Sequence, residues 1–164
     1  MTLAQLNALG RDDFVETIGW VFEDSPWIAE RVWPGRPFAS VDHLHEMMAA
    51  VMYAASADRQ LVVLRAHPDL GARMKMSTAS TGEQAGAGLD RLAPEVFARL
   101  SELNTAYRRK FGFPFLYAVK GSTSAQILQA LEERLARDRE TEFEEALRQV
   151  GRIARLRLDG IITR

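Results

Sequence analysis

No cysteine occurs among the 164 residues, which excludes disulfides, thiolate zinc sites, iron–sulfur clusters and a cysteine nucleophile together. A secreted, bridged fold goes with them, and a reducing compartment fits. The chain also lacks a charge surplus. Its 21 Lys+Arg face 22 Asp+Glu for a formal net charge of −1, so nothing global draws it toward nucleic acid or anionic lipid. No stretch approaches the ~20 apolar residues of a membrane span, and the N-terminus has neither a basic start nor a long apolar run. The closing Ile161-Ile162-Thr163-Arg164 is not a peroxisomal address. Absent too are a Gly-rich phosphate loop, a G-x-S-x-G elbow and an H-E-x-x-H pair, which leaves phosphoryl transfer, elbow hydrolase, zincin and dinucleotide chemistry without support. The expectation is a cytoplasmic protein that binds neither nucleic acid nor membrane.

What the chain does have is apolar residues at three- and four-residue steps almost throughout, with strict alternation rare. This pattern predicts an all-α fold of six to eight helices in a single domain over 1–164. Asp12 can cap a helix carrying Phe14, Ile18, Val21 and Phe22 that ends near Ser25-Pro26, and a short helix follows over 27–32. Ser40 caps a helix over 41–55. The next, over 57–65, should stop before His67, because a residue preceding proline is pushed out of the α region. Ser80 and Glu83 form a capping-box pattern at the start of a helix through Leu89, and Pro94 suits the first turn of one reaching about Lys110. Proline amid apolar residues over 112–121 predicts an extended segment against the core. Two long helices, over 124–136 and 139–158, complete the reading. The mixed charges between Glu132 and Arg157 read as solvated helix faces with local ion pairs.

His67, at the break made by Pro68, is the candidate for proton transfer, since imidazole titrates near neutrality; a capping histidine is the plainer alternative. Ser80, Glu83 and Gln84 have a complete structural explanation as cap, returning carboxylate and solvated helix former. They have a functional one as well. A helix N-terminus offers N–H groups to an anion, and Gln84 can donate to and accept from an amide or urea-like group. At 100° per residue, Arg157 falls on the stripe of Ala146, Val150 and Ile153, so its charge needs a buried carboxylate from the protein or a ligand. Snorkelling near the helix end is the alternative. His43 and His45 lie about 200° apart on a helix and cannot share a metal ion.

Taken together, four ordered blocks resemble the OHCU decarboxylase family. They are His67-Pro68-Asp69-Leu70-Gly71; Ser80-x-x-Glu83-Gln84 with Ala87-Gly88-Leu89; Phe111-Gly112-Phe113-Pro114-Phe115; and Arg152-Ile153-Ala154-Arg155-Leu156-Arg157-Leu158. Leu6-Asn7 and Phe22-Glu23-x-Ser25-Pro26-Trp27 extend the likeness over nearly the whole chain. The resemblance implies an all-helical enzyme without a cofactor or metal, a homodimer, converting 2-oxo-4-hydroxy-4-carboxy-5-ureidoimidazoline to (S)-allantoin in urate degradation. By the matching positions, His67 is the implied catalytic histidine. Pro68, Ser80, Glu83 and Gln84 line the implied substrate site with the backbone of Leu116, Tyr117, Ala118, Val119 and Lys120, and Arg157 matches the arginine of the last helix; beyond the resemblance, Glu83 is expected to hold His67 and so to share in catalysis. Arg137-Asp138 departs from the Asn-Ser often found between the last two helices, which puts only a turn in doubt. The competing expectation is a non-catalytic ligand-binding or interaction module on the same scaffold. An intact His67, Glu83 and Gln84 argue against it.

Overall fold

The computed structural model describes residues 1–71 and 78–163, apart from the side chains of 78–81. Among the described residues there are nine α-helices, one 3-10 turn at Trp33–Gly35 and no strand beyond an isolated bridge between Thr2 and Thr163. The helices are α1 (Leu3–Asn7), α2 (Arg11–Ile18), α3 (Trp27–Val32), α4 (Val41–Ala54), α5 (Ala57–Arg65), α6 (Thr78–Gly86), α7 (Pro94–Phe111), α8 (Ser124–Leu135) and α9 (Arg139–Ile161). The all-α expectation holds. The ninth helix is the N-terminal turn, which closes into α1 because Thr2 and Gln5 exchange both bonds of a capping box. Two helix starts differ from the expectation. Gly10, not Asp12, is the N-cap of α2, with Asp12 and Asp13 in its first turn where they favour the helix dipole. Helix α6 begins at Thr78, so Ser80 sits within its first turn rather than at its cap, and the helix ends at Gly86, before Leu89.

Contacts group the chain into two compact units, Met1–Ala66 with Val150–Arg164, and His67–Gln149. In the first, Phe14, Ile18 and Phe22 are fully buried with Ile28, Leu44, Met48 and Met52. Each such side chain contributes about 1.5–3 kcal/mol by leaving water. Phe14 stacks on Phe38 with centroids 5.9 Å apart. The chain ends meet in this unit, where Thr163 N–H donates to Met1 O at 2.8 Å. The histidines of α4 have structural partners: His43 Nδ1 accepts from Ala39 N–H at 3.2 Å, and His45 Nε2 lies 2.7 Å from Gly151 O.

The second unit is built on an aromatic cluster. Tyr107 and Phe111 of α7 meet at 4.5 Å, and Phe113 and Phe115 pack edge-on to Tyr107 at 6.0 and 5.4 Å. Gly112, at φ 81°, ends α7 in the left-handed conformation and turns the chain into the non-helical segment that carries Phe113 and Phe115. Thr123 and Gln126 then start α8 with a capping box. Asp138 accepts from Thr141 N–H at 2.8 Å and from its hydroxyl at 3.0 Å, the bond of a helix N-cap, so the departure at Arg137-Asp138 supplies its own turn chemistry. These two bonds hold the Asp138 carboxyl below the usual carboxylate range. Ion pairs occupy the mixed-charge face, with Arg148 on Glu145 at 2.6 Å in this unit, and Arg155 on Asp42 and Asp159 in the first.

Candidate active site

Helix α5 ends at Arg65 and Ala66 caps it, so His67 begins the loop that Pro68 forbids from continuing the helix. His67 is buried at 4 % exposure, which sets its ring inside the protein. The loop behind it is pinned at three places. Gly71 N–H donates to Gln84 Oε1 of α6 at 2.7 Å, Leu70 O accepts from Asn104 Nδ2 of α7 at 2.8 Å, and Asp69 pairs with Arg108, one turn further along α7, at 2.9 Å. Position 71 requires glycine twice over, for its φ of +70° and because a Cβ would stand 2.6 Å from Leu100 Cδ2. The Gly71 amide therefore joins the loop to α6, and the two most informative sequence blocks meet there.

Gln84 is nearly as buried as His67, at 5 %, while Glu83 is half-buried. Gln84 Oε1 accepts from Gly71 N–H, so the protein itself sets which way the amide is turned. The side chain of Ser80 lies outside the described residues.

The segment expected to carry backbone contacts is non-helical over residues 114–119 and turns at Gly121, where φ is 82°. Leu116 and Val119 are buried, Tyr117 and Ala118 half-buried, and Lys120 exposed. Two of its polar groups already have protein partners. Leu116 O accepts from Arg134 Nη1 at 2.6 Å, and Ala118 N–H donates to Gln149 Oε1 at 2.9 Å. Arg134 is itself buried. Its Nε lies 2.7 Å from Glu142 Oε1, the same oxygen that accepts the Tyr107 hydroxyl at 2.6 Å, and its guanidinium sits 4.6 Å from the Phe115 ring centroid. Burial and the bond to Glu142 push the Tyr107 hydroxyl well above its ordinary pKa, against the opposing charge of Arg134.

His67, Pro68, Glu83, Gln84 and the 116–120 segment all belong to the second unit, whereas Arg157 belongs to the first. There the carboxylate that its position demands is Glu23, at 2.9 Å, with both side chains no more than 6 % exposed. Arg157 Nη1 also stands 3.3 Å from the carbonyls of Trp20 and Val21. Asp24, in the left-handed region at φ 45°, is the turn residue next to Glu23. The ligand contact expected for Arg157 rests on the resemblance alone.

The polar residues that sequence reasoning missed share one signal. Asn104 lies on the α7 stripe of Leu100, Leu103, Tyr107 and Phe111; Arg134 follows Ile127 and Leu131 on α8; Glu142 and Gln149 flank Ala146 and Val150 on α9. Each is a polar side chain at a core-facing helical position, the same test that singled out Arg157.

Known proteins resemble this chain over nearly all of its length. The family model described as OHCU decarboxylase matches residues 7–159. A protein of Halalkalicoccus jeotgali named 2-oxo-4-hydroxy-4-carboxy-5-ureidoimidazoline decarboxylase is 47% identical over 98% of this chain and 92% of its own length. One of the same name from Haloferax volcanii is also 47% identical, over 96% of this chain and 94% of its own. A solved structure described as (S)-allantoin synthase superposes with a TM-score of 0.83 at 30% identity; it covers 99% of this chain, which spans 54% of that longer one. With nearly its full length matched by the family model, and with relatives this similar matched over more than nine-tenths of their own length, the chain belongs to the OHCU decarboxylase family.

Proposed function

We propose that this protein decarboxylates 2-oxo-4-hydroxy-4-carboxy-5-ureidoimidazoline to (S)-allantoin and carbon dioxide in urate degradation, as a carboxy-lyase. The observation that carries the residue assignment is the junction of the His67 loop with α6 through Gly71 and Gln84, which gathers a buried imidazole, a carboxylate-bearing helix and an oriented amide in one unit. Family membership supports the reaction.

The chemistry asks little of the protein. The carboxylate leaves a carbon adjacent to a C=N bond, so the electron pair of the broken C–C bond moves toward that nitrogen and the substrate is its own electron sink. The hydroxyl on the same carbon then becomes a carbonyl by losing its proton, while the neighbouring carbon gains one, and that protonation sets the S configuration. What remains is orientation and proton handling. In our assignment His67 exchanges the proton with the hydroxyl or the adjacent ring, Glu83 orients the imidazole, and Gln84 donates to a carbonyl of the ureidoimidazoline. Pro68 shapes the turn, Ser80 stands on the same helix as Glu83, and the backbone at 116–120 meets the ring and ureido amides. We also propose that it works as a cytoplasmic homodimer.

The test generates the substrate in situ from urate and follows the optical rotation of the allantoin formed. The protein is expected to accelerate its appearance and to give one enantiomer, and His67→Asn to lose at least about a hundredfold in kcat. Racemic product at the background rate with the wild-type chain refutes the proposed reaction; full activity and stereoselectivity of a folded His67→Asn refutes the assignment of His67.

A further inference from the structure

Two side chains hold the 116–120 segment, and they hold it by one edge. Arg134 of α8 reaches the carbonyl of Leu116 at 2.6 Å and Gln149 of α9 the N–H of Ala118 at 2.9 Å, both within the second unit. In extended backbone the N–H and C=O of a residue point to one side and those of the next residue to the other, so residues 116 and 118 face the same way. The side chains agree with that period: Phe115 and Tyr117, two apart, stack with an interplanar angle of 18° at 6.0 Å. The N–H and C=O of Tyr117 and the N–H of Val119 have no hydrogen bond to a described residue, whereas the Val119 carbonyl accepts from Ser122 N–H at 3.0 Å.

Neither holder is free to swing. Arg134 is fixed by Glu142 and, through the same oxygen, by Tyr107. Gln149 donates through Nε2 to Glu145 Oε1 at 2.8 Å, which fixes its amide so that the oxygen, not the nitrogen, meets Ala118. Burial resists the ionisation of Glu145, but the bonds from Gln149 and Arg148 with the Arg148 charge outweigh it and hold the carboxyl below its ordinary range. Glu145 is thus an ionised acceptor at neutral pH, on which the donation from Ala118 through Gln149 and the donation from Arg148 converge.

We propose that Arg134 and Gln149 are positioning residues that present the opposite backbone edge, Tyr117 N–H and C=O with Val119 N–H, as the template that grips a substrate carrying N–H and C=O together, as a ureido group or lactam edge does. This rests on the proposed decarboxylase reaction and deepens it: of the 116–120 backbone, the Leu116 carbonyl and the Ala118 amide serve the protein, and substrate meets the groups of 117 and 119. Prepaying the order of that edge lowers the cost of binding.

Gln149 is the residue to change, because Arg134 carries a buried charge whose loss threatens folding. Gln149→Leu removes the acceptor for Ala118, and the loss of one ordering hydrogen bond is expected to raise KM for the in situ ureidoimidazoline about three- to tenfold, with kcat within about twofold. The exchange Glu145→Gln with Gln149→Glu puts the carboxylate against Ala118 and lets the new amide donate back to it, so KM is expected to return to within about twofold of wild type. Arg148 then loses only an exposed ion pair, which contributes little. A purely structural role would lower the active fraction and the thermal midpoint without moving the KM of the folded enzyme. Wild-type activity with an unchanged KM in Gln149→Leu, or an exchange variant no better than Gln149→Leu, overturns the template. An inactive wild-type chain in the same assay overturns the decarboxylase reading itself, and the template with it.

Discussion

Replacing Glu142 by glutamine should cost the second unit about 2–4 kcal/mol. The Glu142 carboxylate is fully buried; one oxygen accepts from Tyr107 at 2.6 Å and from Arg134 Nε at 2.7 Å, and Arg137 Nη1 stands 3.6 Å from the other. Glutamine keeps the shape and an acceptor oxygen, so both bonds survive with a neutral acceptor in place of a charged one. Hydrogen bonds to charged groups contribute about 1.5–3 kcal/mol and neutral ones about 0.5–1.5, so two weakened bonds lose roughly 2–3 kcal/mol together. The new NH2 faces Arg137, donor against donor, which adds to the loss. The ceiling is the roughly 3–5 kcal/mol observed when one partner of a buried ion pair is removed outright, because Arg134 keeps its charge. Urea unfolding followed by circular dichroism, with the denaturant slope unchanged, measures the loss directly. In a chain of this size it corresponds to a fall in Tm of roughly 2–4 °C per kcal/mol. A loss below about 0.5 kcal/mol would refute the reasoning, since that is the range of a solvated surface charge.

Gly71→Ala places a side chain at φ +70° and 2.6 Å from Leu100 Cδ2; a loss of about 2–3 kcal/mol in urea unfolding is expected, with a fall in turnover as the bond to Gln84 is displaced. Tyr107 gives an alkaline limb. Its folded pKa is raised, so the unfolded chain loses that proton near pH ~10 while the folded protein keeps it. Its contribution is complete below that pH and is lost as pH rises above it; denaturation series from neutral to alkaline pH should show the decline, and Tyr107→Phe should flatten it. Arg157→Met removes the guanidinium from its buried ion pair with Glu23 and is expected to lower stability by about 3–5 kcal/mol, read by the same unfolding assay. Wild-type stability in that variant would show that Glu23 and Arg157 are not a buried pair.

The helical fold was legible in the sequence because the 3.6-residue period of apolar side chains is a local signal, and so were its breaks. Pro68 ends α5 before His67, and Pro94 opens α7. The starts of α2 and α6 were displaced by two and three residues because Asp12 and Ser80 suit a first turn as well as a cap, and composition does not separate those places. The family was legible too, since His67-Pro68, Glu83-Gln84 and Arg157 keep their order along the chain.

Partners are another matter, because a buried polar group is satisfied by whatever the fold brings to it, over separations that no local pattern encodes. The sequence required a carboxylate for Arg157 without naming Glu23, 134 positions earlier. It offered Gln84 to a ligand, whereas the fold spends its oxygen on Gly71. It pointed to the whole 116–120 backbone, and only the tertiary placement of Arg134 and Gln149 shows that the Leu116 carbonyl and the Ala118 amide already have protein partners. The chain alone thus determined its helices, its family and the residue types of its chemistry. The tertiary structure decided which of their hydrogen-bonding groups are already spent.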